Sequence, residues 1–166
     1  MDADVSVLMV CMGNICRSPM AEGWLSHRLT YRPSGPKIRV DSAGTHGYHA
    51  GSAPDPRAQA AAARRGFHIG HLGARQVVVE DLERFDLILA MDSDNLEYLH
   101  ALAAGAHAEK IRLFLDFAPN AGSSNVPDPY YGGDTGFERV LDLVEQAVDG
   151  LLPELEKLAA RPPGER

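Results

Sequence analysis

The sequence predicts an α/β fold, a three-layer sandwich built on an open, parallel, four-stranded sheet. Short apolar runs alternate along the chain with stretches of helical periodicity, and that alternation implies a parallel sheet covered on both faces. A length of 166 residues with 45% hydrophobic content is enough to bury one ordinary core. The first apolar run ends on a cysteine that opens a tight loop leading into a helix. In open α/β sheets, ligands bind at such a strand-to-helix junction. A single domain is expected over residues 1–160, with residues 161–166 (R-P-P-G-E-R) as a frayed tail.

The elements follow in order. Residues 5–10 (V-S-V-L-M-V) form the first strand. Ser18 suits the N-cap of the first helix and Pro19 its first helical position. Met20, Trp24, Leu25 and Leu29 supply that helix with an apolar face. Residues 38–40 read as a short second strand, and the D-S-A-G-T stretch at 41–45 as the turn after it. A second helix runs from about Asp55 through an alanine-rich stretch to Gly66, a suitable residue just past a helix end. Residues 77–85 carry a short helical turn, and 86–91 (D-L-I-L-A-M) a buried strand. Asp92, Ser93 or Asp94 caps the next helix, which holds Leu96, Leu99 and Leu102. Residues 111–115 are the last strand. A long loop rich in Pro, Gly, Asn and Ser spans 117–136, and loops of that length without structure are usually functional. Thr135 and Glu138 have capping-box spacing. The final helix then aligns Phe137, Val140, Leu141, Val144, Val148, Leu151 and Leu155 on one side. Four strands at this spacing suggest an open, doubly wound, flavodoxin-like sheet.

The chemistry concentrates in residues 10–19, V-C-M-G-N-I-C-R-S-P. Backbone N–H groups of a tight loop, aided by a helix N-terminus, can converge on an anion. Arg17 can grip two phosphate oxygens with its planar fork, which a lysine could not do. The same positive surroundings favour the thiolate of Cys11, the form that acts as a nucleophile. Gly13 permits close backbone approach, and Asn14 tolerates a left-handed conformation. Met12, Ile15 and Cys16 complete the loop, and the Ser18 hydroxyl can donate to the thiolate. In the long loop, Asp128 lies between Pro127 and Pro129, which stiffen it; alone, that pattern is also the pattern of a surface turn.

The stretch C-x-G-N-x-C-R-S-P resembles the signature of the low-molecular-weight protein tyrosine phosphatases of bacterial type. The resemblance continues in family order through D-S-A-G-T (41–45), P-D-P-R-A (54–58), A-R-Q (74–76), M-D (91–92) and D-P-Y-Y-G (128–132). It implies a phosphotyrosine hydrolase working through a cysteinyl-phosphate. Cys11 is then the nucleophile, Arg17 the phosphate clamp and Asp128 the general acid and base. Tyr48, Tyr130 and Tyr131 become walls of a slot deep enough for a phenyl ring, and Ser42 and His71 extend the hydrogen-bond network around Cys11. The spacing from His71 to Arg75 is one residue longer than the family pattern. For Cys16 the resemblance implies a reversible disulfide with Cys11, while the residues themselves also allow simple packing as a small hydrophobe.

Composition narrows the alternatives. A formal charge of −7 argues against broad nucleic-acid binding and against an anionic membrane surface. Two cysteines, an acidic N-terminus and no long apolar run fit a reduced cytoplasmic protein without membrane insertion. No cofactor is expected, and no metal, since Cys11 and Cys16 have no second ligand pair; His46, His49, His68 and His71 are scattered and read as solvated. The expected partner is a phosphotyrosine-bearing protein, with a bacterial tyrosine kinase among the candidates, met by a monomer. Arsenate reduction by an internal disulfide cascade needs cysteines downstream of Cys16, and there are none; only a glutathione-dependent form stays open. Arginine-phosphatase relatives tend to carry Thr where Ile15 stands. A phosphotyrosine-binding module would need neither nucleophile nor acid. A P-loop NTPase is excluded by the absence of G-x4-G-K-[ST].

Overall fold

The computed structural model describes residues 3–162 and 164. Of the expected tail, residues 163, 165 and 166 lie outside the described residues. Strand β1 (Val5–Cys11) pairs with β2 (Ile38–Gly44) on one side and with β3 (Leu87–Ala90) on the other. Strand β3 pairs with β4 (Ile111–Leu113), every pairing is parallel, and the order is β2-β1-β3-β4. The first strand is therefore central, and Cys11 ends it opposite Gly44 at the carboxyl edge of the sheet.

The side chains of β1 alternate between two cores. Val5, Val7, Met9 and Cys11 enter one, and Leu8 and Val10 the other, as the period of a strand buried on both faces requires. Helices α1 (Arg17–Thr30), α2 (Pro56–Arg64) and α5 (Asp134–Ala160) close the first core. Helices α3 (Val79–Arg84) and α4 (Ser93–Ala103) cover the second. The apolar stripe expected on the last helix is buried at every position from Phe137 to Leu155 named above. That helix lies hard against the 3-10 turn Phe114–Phe117: a Cβ on Gly150 would sit 1.9 Å from the Phe117 carbonyl oxygen.

Several helix ends match their local chemistry. Asp55 caps α2 by accepting from Arg57 N–H at 2.8 Å, Pro56 takes the first helical position, and Gly66 follows the helix with φ +87°. Asp92 is the cap of α4, accepting from Asn95 N–H at 2.8 Å. Four boundaries differ from expectation by more than one residue. Helix α1 begins at Arg17 with Cys16 in the cap position, so Ser18 lies inside it and its hydroxyl is used elsewhere. Residues 41–44 continue β2 instead of turning, because they pair with residues 8–11 of the central strand. Strand β4 stops at Leu113, where the chain tightens into the 3-10 turn. The Thr135 capping box does not form: α5 starts at Asp134, with Gly133 as its cap residue and no side-chain cap bond.

Candidate active site

The loop between β1 and α1 wraps the floor of a cavity of about 280 Å³ at the carboxyl end of the sheet. Its curl depends on Asn14, which adopts the left-handed conformation (φ +57°) that asparagine tolerates. Asn14 N–H then points back at Cys11 Sγ, 3.3 Å away. The neighbouring end of β2 must come very close: a Cβ on Gly44 would lie 2.6 Å from the Met12 carbonyl oxygen and 3.2 Å from Asn14 N.

The hydrogen bonds around Cys11 Sγ are ordered by the backbone of Arg75. Arg75 N–H donates to Asn14 Oδ1 at 3.0 Å, which turns the Asn14 amide nitrogen toward two hydroxyls. It donates to Ser18 Oγ at 2.8 Å and to Ser42 Oγ at 2.9 Å. Each hydroxyl, already accepting, is free to give its own hydrogen outward. Ser18 Oγ lies 3.0 Å from Cys11 Sγ, where it is the donor once the sulfur is ionised, and Ser42 gives its hydrogen to Glu22 Oε1 at 2.6 Å. Ser18 thus stabilises negative charge on the sulfur. The network ends at Glu22, not at His71. His71 makes no hydrogen bond to it; it is exposed and lines a separate cavity with His68 and one edge of Glu22.

Arg17 is 3% exposed, and its guanidinium is gripped from behind. Nη1 donates to Asp92 Oδ2 at 2.6 Å and to the Val126 carbonyl at 3.1 Å, while Nη2 stands 3.5 Å from Asp128 Oδ2. Asp92 therefore caps α4 with one oxygen and orients the Arg17 guanidinium with the other. The other Asp128 oxygen accepts from Tyr130 N–H at 3.0 Å. Cys11, Arg17 and Asp128 all border the same cavity, as do Met12, Gly13, Ile15 and Cys16.

Tyr48, Tyr130 and Tyr131 line the mouth, and His49 joins them. Tyr48 is 74% exposed but stacks on His46 with ring centroids 5.2 Å apart, and Tyr130 meets Tyr131 edge to face at 5.0 Å. Burial, with Asp55 and Cys11 adding negative charge nearby, pushes the Cys16 thiol up to about 12. Cys16 stays protonated and both cysteines carry free thiols. Burial also raises the Glu22 carboxyl to about 7, against the pull of its Ser42 hydrogen bond. Asp92, Glu22 and Arg75 were not singled out as site residues from the sequence. Asp92 and Arg75 stand in the M-D and A-R-Q segments, but their partners are far away along the chain. Among the described residues no group of three His, Cys, Asp or Glu side chains could hold a metal ion. No helix of the described residues is long and apolar enough to cross a membrane.

Comparison with known proteins agrees with this geometry. Residues 6–161 match the family model described as low molecular weight phosphotyrosine protein phosphatase. A low molecular weight protein-tyrosine-phosphatase of Streptomyces coelicolor is 44% identical over 88% of this chain and 90% of its own length. A protein tyrosine phosphatase of Entamoeba histolytica, solved with Hepes in its active site, superimposes with a TM-score of 0.88 at 39% identity, covering 92% of this chain and 97% of that one. The Drosophila arginine phosphatase DARP superimposes with a TM-score of 0.82 at 32% identity, covering 90% and 97%.

Proposed function

The chain belongs to the low molecular weight phosphotyrosine protein phosphatase family, and from that premise we propose that it hydrolyses phosphotyrosine through a phosphate ester formed on Cys11. The observation that carries the assignment of roles is the convergence of Cys11, Arg17 and Asp128 on one aromatic-walled cavity.

In the first step the Cys11 thiolate attacks phosphorus in line with the phenolic oxygen. The loop N–H groups and the Arg17 guanidinium hold the equatorial oxygens, where charge is spread in the transition state. A phenol has a pKa of about 10 and leaves poorly as an anion, so Asp128 gives it a proton as the P–O bond breaks. Asp128 Oδ2 stands 3.5 Å from Arg17 Nη2, so acid and clamp share one side of the cavity. In the second step the Asp128 carboxylate takes a proton from water as the water oxygen attacks phosphorus. The S–P bond breaks, inorganic phosphate forms, and the thiolate returns to the hydrogen bond from Ser18.

The aromatic walls favour a ring-bearing substrate that reaches deep into the slot. Likeness to an arginine phosphatase keeps phosphoarginine as the second reading, while Ile15, an apolar side chain facing the cavity, supports the aryl substrate. The proposed substrate is a phosphotyrosine-bearing protein, with a tyrosine kinase among the candidates, acted on by a cytoplasmic monomer; the sparse cysteine content, two in 166 residues, supports a reducing setting.

The test is turnover of purified protein on phosphotyrosine, phosphoserine and phosphoarginine peptides. Phosphotyrosine should be preferred, Cys11→Ser should be inactive, and Asp128→Ala should lose about 10²–10⁴-fold, the usual worth of a general acid. Preference for phosphoarginine would replace the aryl reading; binding without turnover would replace the enzyme.

A further inference from the structure

The P-D-P-R-A segment has no part in the chemistry above, yet its arginine sits where the two halves of the site meet. Arg57 occupies the first turn of α2, where a helix end is already positive and a cation is unfavourable. Asp55 offsets that charge. Its carboxylate accepts from Arg57 Nε at 3.0 Å and Nη2 at 2.9 Å, which fixes the plane of the fork. The outer face of the fork then reaches the acid loop. Nη2 donates to the Tyr130 carbonyl at 2.9 Å and Nη1 to the Gly132 carbonyl at 3.2 Å. The same cation lies 5.6 Å from the Tyr130 ring centroid and 4.9 Å from that of buried Phe137. On the other side, Asp55 N–H donates to the Ile15 carbonyl of the phosphate loop at 2.8 Å.

We propose that Asp55 and Arg57 form a clasp that joins the phosphate loop to the acid loop, with Arg57 a positioning residue for Asp128; the proposal rests on Asp128 being the general acid. Position passes through Tyr130, whose carbonyl is held by Arg57 and whose N–H holds the Asp128 carboxylate. The segment of 118–133 is irregular, and buried Val126 and Pro129 anchor it on either side of the acid; Asp128 itself is 40% exposed and its carboxylate has Tyr130 N–H and Arg17 as its partners. A lysine could not replace the arginine, because two carbonyls and a carboxylate need a planar fork with several donors.

The experiment compares wild type, Arg57→Met, Arg57→Lys, Asp128→Ala and the Arg57→Met/Asp128→Ala double variant. kcat/KM is measured on phenyl phosphate and on 4-nitrophenyl phosphate, whose leaving group needs little protonation. Inhibition by inorganic phosphate reports the phosphate loop alone. Arg57→Met and Arg57→Lys should each lose about tenfold more on phenyl than on 4-nitrophenyl phosphate, part of the full acid effect, with phosphate inhibition changed less than about twofold. In the Asp128→Ala background, Arg57→Met should not steepen that dependence further. Arg64→Met removes another α2 arginine, paired with Glu138 away from the cavity, and should behave as wild type. Equal loss on both substrates, or a leaving-group effect that adds to Asp128→Ala, overturns the clasp. An Asp128→Ala variant with no leaving-group dependence overturns the acid assignment instead. Arg57→Lys, which keeps charge and stem, carries the comparison if Arg57→Met does not fold.

Discussion

Glu22 is a carboxyl that burial has moved to about 7, with Asp41 adding repulsion and Arg75 opposing it. The folded protein therefore binds more protons at Glu22 than the unfolded chain does between the ordinary glutamate value, about 4.3, and 7. Stability must fall as pH rises through that window, and the cost is complete above it, on the order of 3–4 kcal/mol. Thermal melts should show Glu22→Gln matching wild type near pH 4 and exceeding it above pH 7, since a neutral amide can still accept from Ser42. Melting temperatures that shift equally at both pH values would refute the buried-charge account. The same residue shows why site chemistry is only partly legible from motif spacing. Cys11, Arg17 and Ser18 lie within one loop and helix turn, so their meeting is local. Glu22 meets Ser42 only because β2 pairs beside β1.

Gly150 on α5 illustrates a rule that reverses with context. In an exposed helix interior, Gly→Ala gains up to about 1 kcal/mol. Here the added Cβ would collide with the Phe117 carbonyl, and backbone cannot yield as a flexible side chain can. Gly150→Ala should destabilise by roughly 1–3 kcal/mol, the usual cost of overpacking, seen as a lower denaturation midpoint with unchanged m; a stabilised variant would mean that helix and 3-10 turn can separate freely. Element ends are readable where one side chain decides them, as at Asp55 and Gly66; for α4 the sequence leaves Asp92, Ser93 and Asp94 open, and the bond to Asn95 N–H selects Asp92. The sequence misleads where another element competes. Ser18 looks like a cap but spends its hydroxyl on Cys11, and residues 41–44 look like a turn but gain a ladder of parallel pairing.

Arg75 ties the molecule together across its layers. Its side chain pairs with Asp41 of β2 at 3.1 Å and with Asp81 of α3 at 2.9 Å, and its backbone orients Asn14. Asp81 is fully buried. Burial alone would raise its carboxyl, but hydrogen bonds from Arg75 and from Val78 N–H hold it below the ordinary range. Arg75→Met would leave that carboxylate buried without its main cation and should cost about 3–5 kcal/mol. A chemical denaturation series should show the loss, and Asp81→Leu added to Arg75→Met should recover part of it. Additive losses in the double variant would show that the pair is not the unit of stability.

Period and local chemistry were enough to specify the alternating fold, the apolar stripe of α5, and the phosphate-loop motif from Cys11 to Pro19, because each depends on neighbours within a few residues. Tertiary structure alone decided that Asp92 aims Arg17, that Glu22 ends the Ser42 network in place of His71, and that Arg57 reaches the acid loop. Those contacts join residues 20 to 75 positions apart. No local propensity encodes them; they exist because parallel pairing brings the carboxyl ends of the strands to one edge, where each loop finds partners contributed by another.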